Sequence, residues 1–228
     1  MRTGICFALL AACLATQQAS AADDAATPVK KAAFERERAS DDARNVADWV
    51  VRAGDNHAGD NRSLSFVIVD KKDARIFVFH ANGQLRGAAP ALLGEARGDE
   101  SVPGIGDRAL SAIRPEEKTT PAGRFVGQLG DNARGEDVLW VDYEGAVSIH
   151  RVIAGTKEHR VQRLATPTPL DNRISFGCIN VPKKFFENVV RPAVLGTRAI
   201  IYVLPEIKAL RTVFTTYDGG TPGAVSTR

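Results

Sequence analysis

Apolar and polar positions along this chain change period several times, and each change marks an element. Ala43, Val46, Ala47, Val50 and Val51 recur at the i, i+3, i+4, i+7, i+8 spacing of one helical face. Ser40 can accept from a free first-turn N–H, Asp41 and Asp42 suit the positive end of the helix dipole, and Gly54 can take a left-handed cap. The spacing predicts a helix over 34–53 that packs against the domain.

Strand patterns follow. Residues 64–69 form an apolar run broken only by Ser65, and 75–80 and 84–89 flank Asn82-Gly83, a dipeptide that tolerates positive φ and marks a hairpin. Residues 91–93 end at Gly94. Residues 95–118 are polar and rich in Gly, Pro and charge, and read as a long loop, a class that is usually functional or mobile. Strands are expected again at 124–128, 138–143 and 146–149, the last two joined by Glu144-Gly145. Pro182 suits the first helical position, Phe185, Phe186, Val189 and Val190 give a short helix its apolar face, and Pro192 stops it. A closing strand runs over 198–204 to Pro205. Many short strands with helices at the margins predict a mostly β domain with peripheral helices, a sandwich or partly closed barrel.

The ends and the composition narrow the class. A basic head, an uncharged apolar stretch from Ile5 to Ala15 and the small residues Ala19-Ser20-Ala21 have the layout of a secretory signal at 1–21. The apolar stretch is too short to span a bilayer, and no later segment is apolar enough to do so. Leu10-Ala11-Ala12-Cys13 resembles a lipoprotein box, so the alternative to a cleaved signal is a lipid on Cys13. Either way an exported protein of the periplasm or cell envelope is expected. Residues 22–62 read as lead-in and helix, 63–205 as the main domain and 206–228 as a C-terminal tail. Removing the signal leaves 29 basic against 27 acidic residues, interspersed, which is no footprint for nucleic acid.

That cleavage also changes the cysteine count. Cys6 and Cys13 fall in the signal, and Cys178 is left alone in Ser175-Phe176-Gly177-Cys178-Ile179-Asn180. Exported proteins commonly pair their cysteines, so a lone thiol is either an inert buried residue or a nucleophile. A nucleophilic thiol needs a partner to take its proton, usually histidine. Of the four histidines, His57 lies in a linker, His80 beside a turn and His159 in a charged stretch, whereas His150 ends a strand, where a scaffold can aim it. Gly177, lacking Cβ, allows a close backbone approach, and N–H groups near it can face a developing oxyanion.

Taken together, Ser148-Ile149-His150 and Ser175-Phe176-Gly177-Cys178-Ile179-Asn180 resemble the signature of the L,D-transpeptidase catalytic domain (YkuD type). Thr120-Pro121-Ala122-Gly123-Arg124-Phe125 resembles the Thr-Pro-x-Gly-x-Phe run of that family, and the hairpin before Gly94 and the strand after Gly196 fit its start and end. The resemblance covers residues 64–205. Two positions depart from the pattern. Phe176 stands where many members carry a second His, and 24 residues separate His150 from Ser175, more than usual. His159, with 15 residues between it and Ser175, matches the common spacing, but lacks the strand context.

The resemblance implies an enzyme of peptidoglycan stem peptides with Cys178 as nucleophile and His150 as base. It implies that Ser175 orients the imidazole, that Gly177 and Cys178 N–H groups hold the oxyanion and that Asn180 fixes the loop. Arg173, in a basic loop that also carries Arg151, Arg160 and Arg163, and Phe176 are candidates for substrate contact. No metal or organic cofactor is implied. An amine acceptor gives 3-3 cross-links, water gives a carboxypeptidase or a hydrolase, and a peptidoglycan-binding domain without turnover is the reading from another class.

Overall fold

The computed structural model describes residues 31–53, 60–155 and 157–218. The expected export signal with Cys6 and Cys13, the cap Gly54 and the linker residue His57 lie outside the described residues. The strands are β1 (Ser65–Asp70), β2 (Arg75–Phe79), β3 (Leu85–Pro90), β4 (Leu93–Gly94) and β5 (Gly123–Asp131), then β6 (Asp137–Asp142), β7 (Val147–Arg151), β8 (Arg173–Ser175), β9 (Ile179–Val181) and β10 (Arg198–Val203). Eight of them form one sheet in the order β3-β2-β1-β10-β5-β6-β7-β9, and β4 pairs with β8. The pairs β1–β10, β7–β9 and β4–β8 are parallel.

The long sheet curls until its edges nearly meet. Leu92, on the chain leaving edge strand β3, exchanges both backbone hydrogen bonds with Asn180 on edge strand β9, at 2.8 and 2.9 Å. That bridge ties the two ends of the sheet together at one point. The protein is therefore mostly β, of the partly closed form expected.

Both faces of β1 are covered, which is why its sequence reads as an unbroken apolar run. Val67 and Val69 point inward, to a core shared with Ile76, Val78, Leu139 and Ile201. Phe66 and Ile68 point outward, to a second core under helix α1 (Asp41–Arg52). Fully burying such a side chain contributes about 1.5–3 kcal/mol, so this helix is integral to the domain. It starts later than the apolar spacing predicted. Ser40 has extended backbone and its Oγ accepts from Ala43 N at 3.1 Å, so the helix begins after it. The chain before it packs Phe34 edge-on against Phe77 and Phe79.

Three other expectations change. The stretch from Lys183 does not stop at Pro192: α3 (Lys183–Phe185) runs through a π-turn (Phe186–Val190) into α4 (Arg191–Val194), with Pro192 in the first turn of α4, where its missing N–H breaks no bond of that segment. Residues 95–118 are folded, with short 3-10 turns at Ile105–Asp107, Leu110–Ala112 and Pro115–Glu117. The residues assigned to a C-terminal tail are packed as far as Tyr217. Glu206 is buried, α5 (Leu210–Val213) follows, and Phe214 and Tyr217 enter the core under α1.

Candidate active site

Parallel pairing of β7 and β9 builds the site. Ile149 lies opposite Ile179 and His150 opposite Asn180. Side chains alternate along a strand, so Ile149 and Ile179 enter the core. Ser148, His150, Cys178 and Asn180 therefore share the opposite face, Cys178 in the turn just before β9. Ser148 Oγ is 3.7 Å from Cys178 Sγ, and Asn180 Nδ2 is 3.2 Å from His150 Nε2. His150 and Cys178, singled out from the sequence, thus lie on one face, near enough for each to shift the titration of the other. Alternation alone would have added Ser148.

The tautomer of His150 follows from its neighbours. Nδ1 lies 2.8 Å from the carbonyl of Arg151, which can only accept, so Nδ1 carries the proton. Nε2 then carries the lone pair that can take the thiol proton. Burial pushes the Cys178 thiol up, but the hydrogen bond and charge of His150, with help from Ser148, outweigh it and bring the thiol below its ordinary value. Burial pulls His150 down, and Cys178 and the Arg151 carbonyl more than reverse that. Each group favours the charged form of the other, as a thiolate–imidazolium pair requires. The cysteine itself is half-buried, and its Sγ also lies 3.4 Å from the Ala146 carbonyl.

Gly177 sets the turn that presents the nucleophile. Its φ is +136°, and a Cβ there would lie 2.7 Å from the Thr119 carbonyl, so both backbone angle and space call for glycine. Ser175 does not reach the imidazole, contrary to the role expected of it. It is buried, its Oγ donates to the Cys178 carbonyl at 2.6 Å and accepts from Gly177 N at 3.1 Å. That bond engages the Gly177 N–H, so of the two donors expected for an oxyanion, the Cys178 N–H is the one left.

Arg173 is also reassigned. Its guanidinium binds Glu206 with both terminal nitrogens, at 3.1 and 2.5 Å, and the Lys71 carbonyl at 2.9 Å, and its side chain is nearly buried. A group so committed is unavailable to substrate. Arg151 pairs with Asp137 and Glu187. Arg163 donates to the carbonyls of Glu158 and Asp171. Arg160 differs: from the first residue of α2 (Arg160–Arg163), its Nη1 donates to Asn180 Oδ1 at 2.9 Å. Phe176 is exposed, with Lys118 Nζ 4.6 Å from its ring centre. His159 and His80 are both exposed, and His159 adopts φ 52° before α2.

His150 also lines a cavity of about 300 Å³, shared with Arg134, Arg151, Ile153 and Lys183. Among the described residues no cluster of His, Cys, Asp and Glu could hold a metal ion, and no helix is long and apolar enough to cross a membrane.

No family model and no curated protein matches the chain. Among solved structures it is similar to Pgp2, a helical cell shape determining protein of Campylobacter jejuni, at 16% identity and a TM-score of 0.42 over 64% of this chain and 49% of that one. It is also similar to an L,D-transpeptidase of Xylanimonas cellulosilytica, at 16% identity and a TM-score of 0.38 over 62% of this chain and 60% of that one. An L,D-transpeptidase of Enterococcus faecium gives 16% identity and a TM-score of 0.34 over 64% of this chain and 52% of that one. The chain thus spans about half the length of Pgp2. The family resembled by the motif recurs among these structures, but with TM-scores below 0.5 the chemistry is read from the site.

Proposed function

We propose that the protein is a cysteine-dependent L,D-transpeptidase that acts on peptidoglycan stem peptides in the cell envelope. The observation that carries this reading is the Cys178–His150 pair, with Nδ1 of the imidazole held by the Arg151 carbonyl, on the motif that resembles that family. The Cys178 sulfur attacks the carbonyl of the third stem residue as His150 Nε2 takes the thiol proton. The Cys178 N–H donates to the oxyanion that forms. The peptide C–N bond breaks, the imidazolium returns the proton to the departing amine of the terminal D-amino acid, and a thioester remains. The amine of a second stem then attacks the thioester and loses its proton to His150, and the thiolate leaves. Water in place of that amine gives the carboxypeptidase or hydrolase.

Intact mass after incubation with a carbapenem tests the nucleophile. A covalent adduct on the wild type and none on Cys178→Ala is the expected result, and a wild type without adduct overturns the reading. Muropeptide analysis of sacculi incubated with the protein then separates the acceptors. New 3-3 dimers support the transferase, while loss of existing links with no new dimers assigns a hydrolase.

A further inference from the structure

Asn180 touches both His150 and Arg160 of α2, and its amide can face either way. Which way is decided by Arg160. A guanidinium has five N–H donors and no acceptor, so the amide atom 2.9 Å from Arg160 Nη1 has to be the oxygen. The amide nitrogen then faces His150 Nε2 at 3.2 Å. Its remaining hold is the bond from Nδ2 to the Cys178 carbonyl, long at 3.4 Å. An N–H directed at Nε2 suits a lone pair and opposes a proton there.

We propose that Arg160 is a positioning residue for the reactive pair, fixing the Asn180 amide with its nitrogen toward His150 so that Nε2 gives up readily the proton it takes from Cys178. Once Nε2 is protonated, donor faces donor, which favours passing the proton to the departing amine. Without Arg160 the amide can turn over and offer its oxygen, making a charge-assisted hydrogen bond that retains the proton on the imidazole. Arg160 is well placed for this work. It follows His159 in its left-handed conformation, its side chain is only 14% exposed, and Glu158 Oε2 stands 3.8 Å from its Nε.

Other charges around His150 are accounted for. Cys178 faces it from the turn before β9. Arg151, on its own strand, is paired with Asp137 and Glu187. Arg134, Glu136 and Lys183 lie across the cavity that it lines. The Arg160 charge itself disfavours the imidazolium, so removing it acts in the same direction as freeing the amide. A double-mutant comparison separates the two.

The inference rests on Cys178 and His150 as the reactive pair of the proposed function, but its test needs no substrate. Side-chain ¹⁵N NMR of His150 across pH reads both tautomer and titration midpoint. The wild type is expected to show the Nδ1–H tautomer when neutral. Arg160→Met should move the midpoint upward by about half a pH unit or more, the size of one net hydrogen bond. In an Asn180→Ala background the same substitution should move it less, because only the charge is lost. An unmoved midpoint in Arg160→Met, or equal shifts in the two backgrounds, overturns the proposal. If Arg160→Met does not fold by circular dichroism, Arg160→Ala is read in the same way. A protein that forms no carbapenem adduct but shows these shifts would lose the transpeptidase reading and keep this one.

Discussion

Thr120 Oγ1 donates to the Gly177 carbonyl at 2.9 Å and accepts from Gly94 N at 2.8 Å. One buried hydroxyl thus joins the catalytic turn to the end of β4. The Thr120 carbonyl in turn accepts from Lys71 Nζ at 2.8 Å. A continuous set of hydrogen bonds runs from a buried lysine to the residue beside the nucleophile.

Thr120→Val keeps the shape and removes the hydroxyl. It leaves the Gly94 N–H and the Gly177 carbonyl without their partner in a buried place, at a cost of about 1–3 kcal/mol. Urea unfolding should show that loss. Carbapenem acylation of the folded variant should slow as well, since the turn that presents Cys178 is released. A variant of wild-type stability would show that this hydroxyl does not hold the turn.

Gly177→Ala meets two obstacles, a φ of +136° and a Cβ 2.7 Å from the Thr119 carbonyl oxygen. Backbone atoms cannot give way as a flexible side chain does, so the turn has to shift. Destabilisation of more than about 1 kcal/mol and loss of adduct formation are expected, read by urea unfolding and intact mass. Unimpaired acylation would contradict the close-packed turn.

His150 was legible as a strand-end residue, although β7 runs one residue further, to Arg151. Strands β8 and β9 have three residues each, too few to show a period, so the parallel pairing that sets Asn180 opposite His150 was invisible. Ser175 and Arg173 were recognised as functional in residue type, but their partners lie elsewhere. Ser175 closes its own turn. Arg173 is neutralised by Glu206, 33 residues on, in a segment whose composition reads as a tail. The Thr-Pro-x-Gly-x-Phe run shows no mechanical reason in the sequence, and the Thr120–Gly177 bond supplies one.

Asp99 gives the fold an acid limit. Burial pushes its carboxyl up, but Lys71 and the N–H groups of Glu206, Ile207 and Lys208 outweigh that and hold it at about 2. A depressed carboxylate contributes stability that is complete above its unfolded value near 4 and is lost as pH falls toward about 2. The contribution is about 2 kcal/mol. Urea unfolding at pH 5 and pH 2 should show this loss, and Asp99→Asn should weaken the protein at pH 5 while reducing its loss between those two values. Lys71→Met, which leaves the Asp99 carboxylate buried and unpaired, should cost about 3–5 kcal/mol at pH 7.

His150 and His159 compete for the role of base on sequence spacing, and their surroundings divide them. His150 lies on the same face as Cys178 and lowers the thiol. His159 is exposed ahead of α2. Iodoacetamide reacts with the thiolate, so its rate against pH traces the ionisation of Cys178. In His150→Ala the lowering influence disappears while burial of the sulfur persists, so the alkylation profile should move to higher pH. Carbapenem acylation at pH 7 should fall by about 10²–10⁴-fold, the usual contribution of a general base. His159→Ala should leave both measurements near the wild type. The reverse result, with only His159→Ala abolishing acylation, would assign the base to the residue ahead of α2 and require that segment to move onto the nucleophile during turnover.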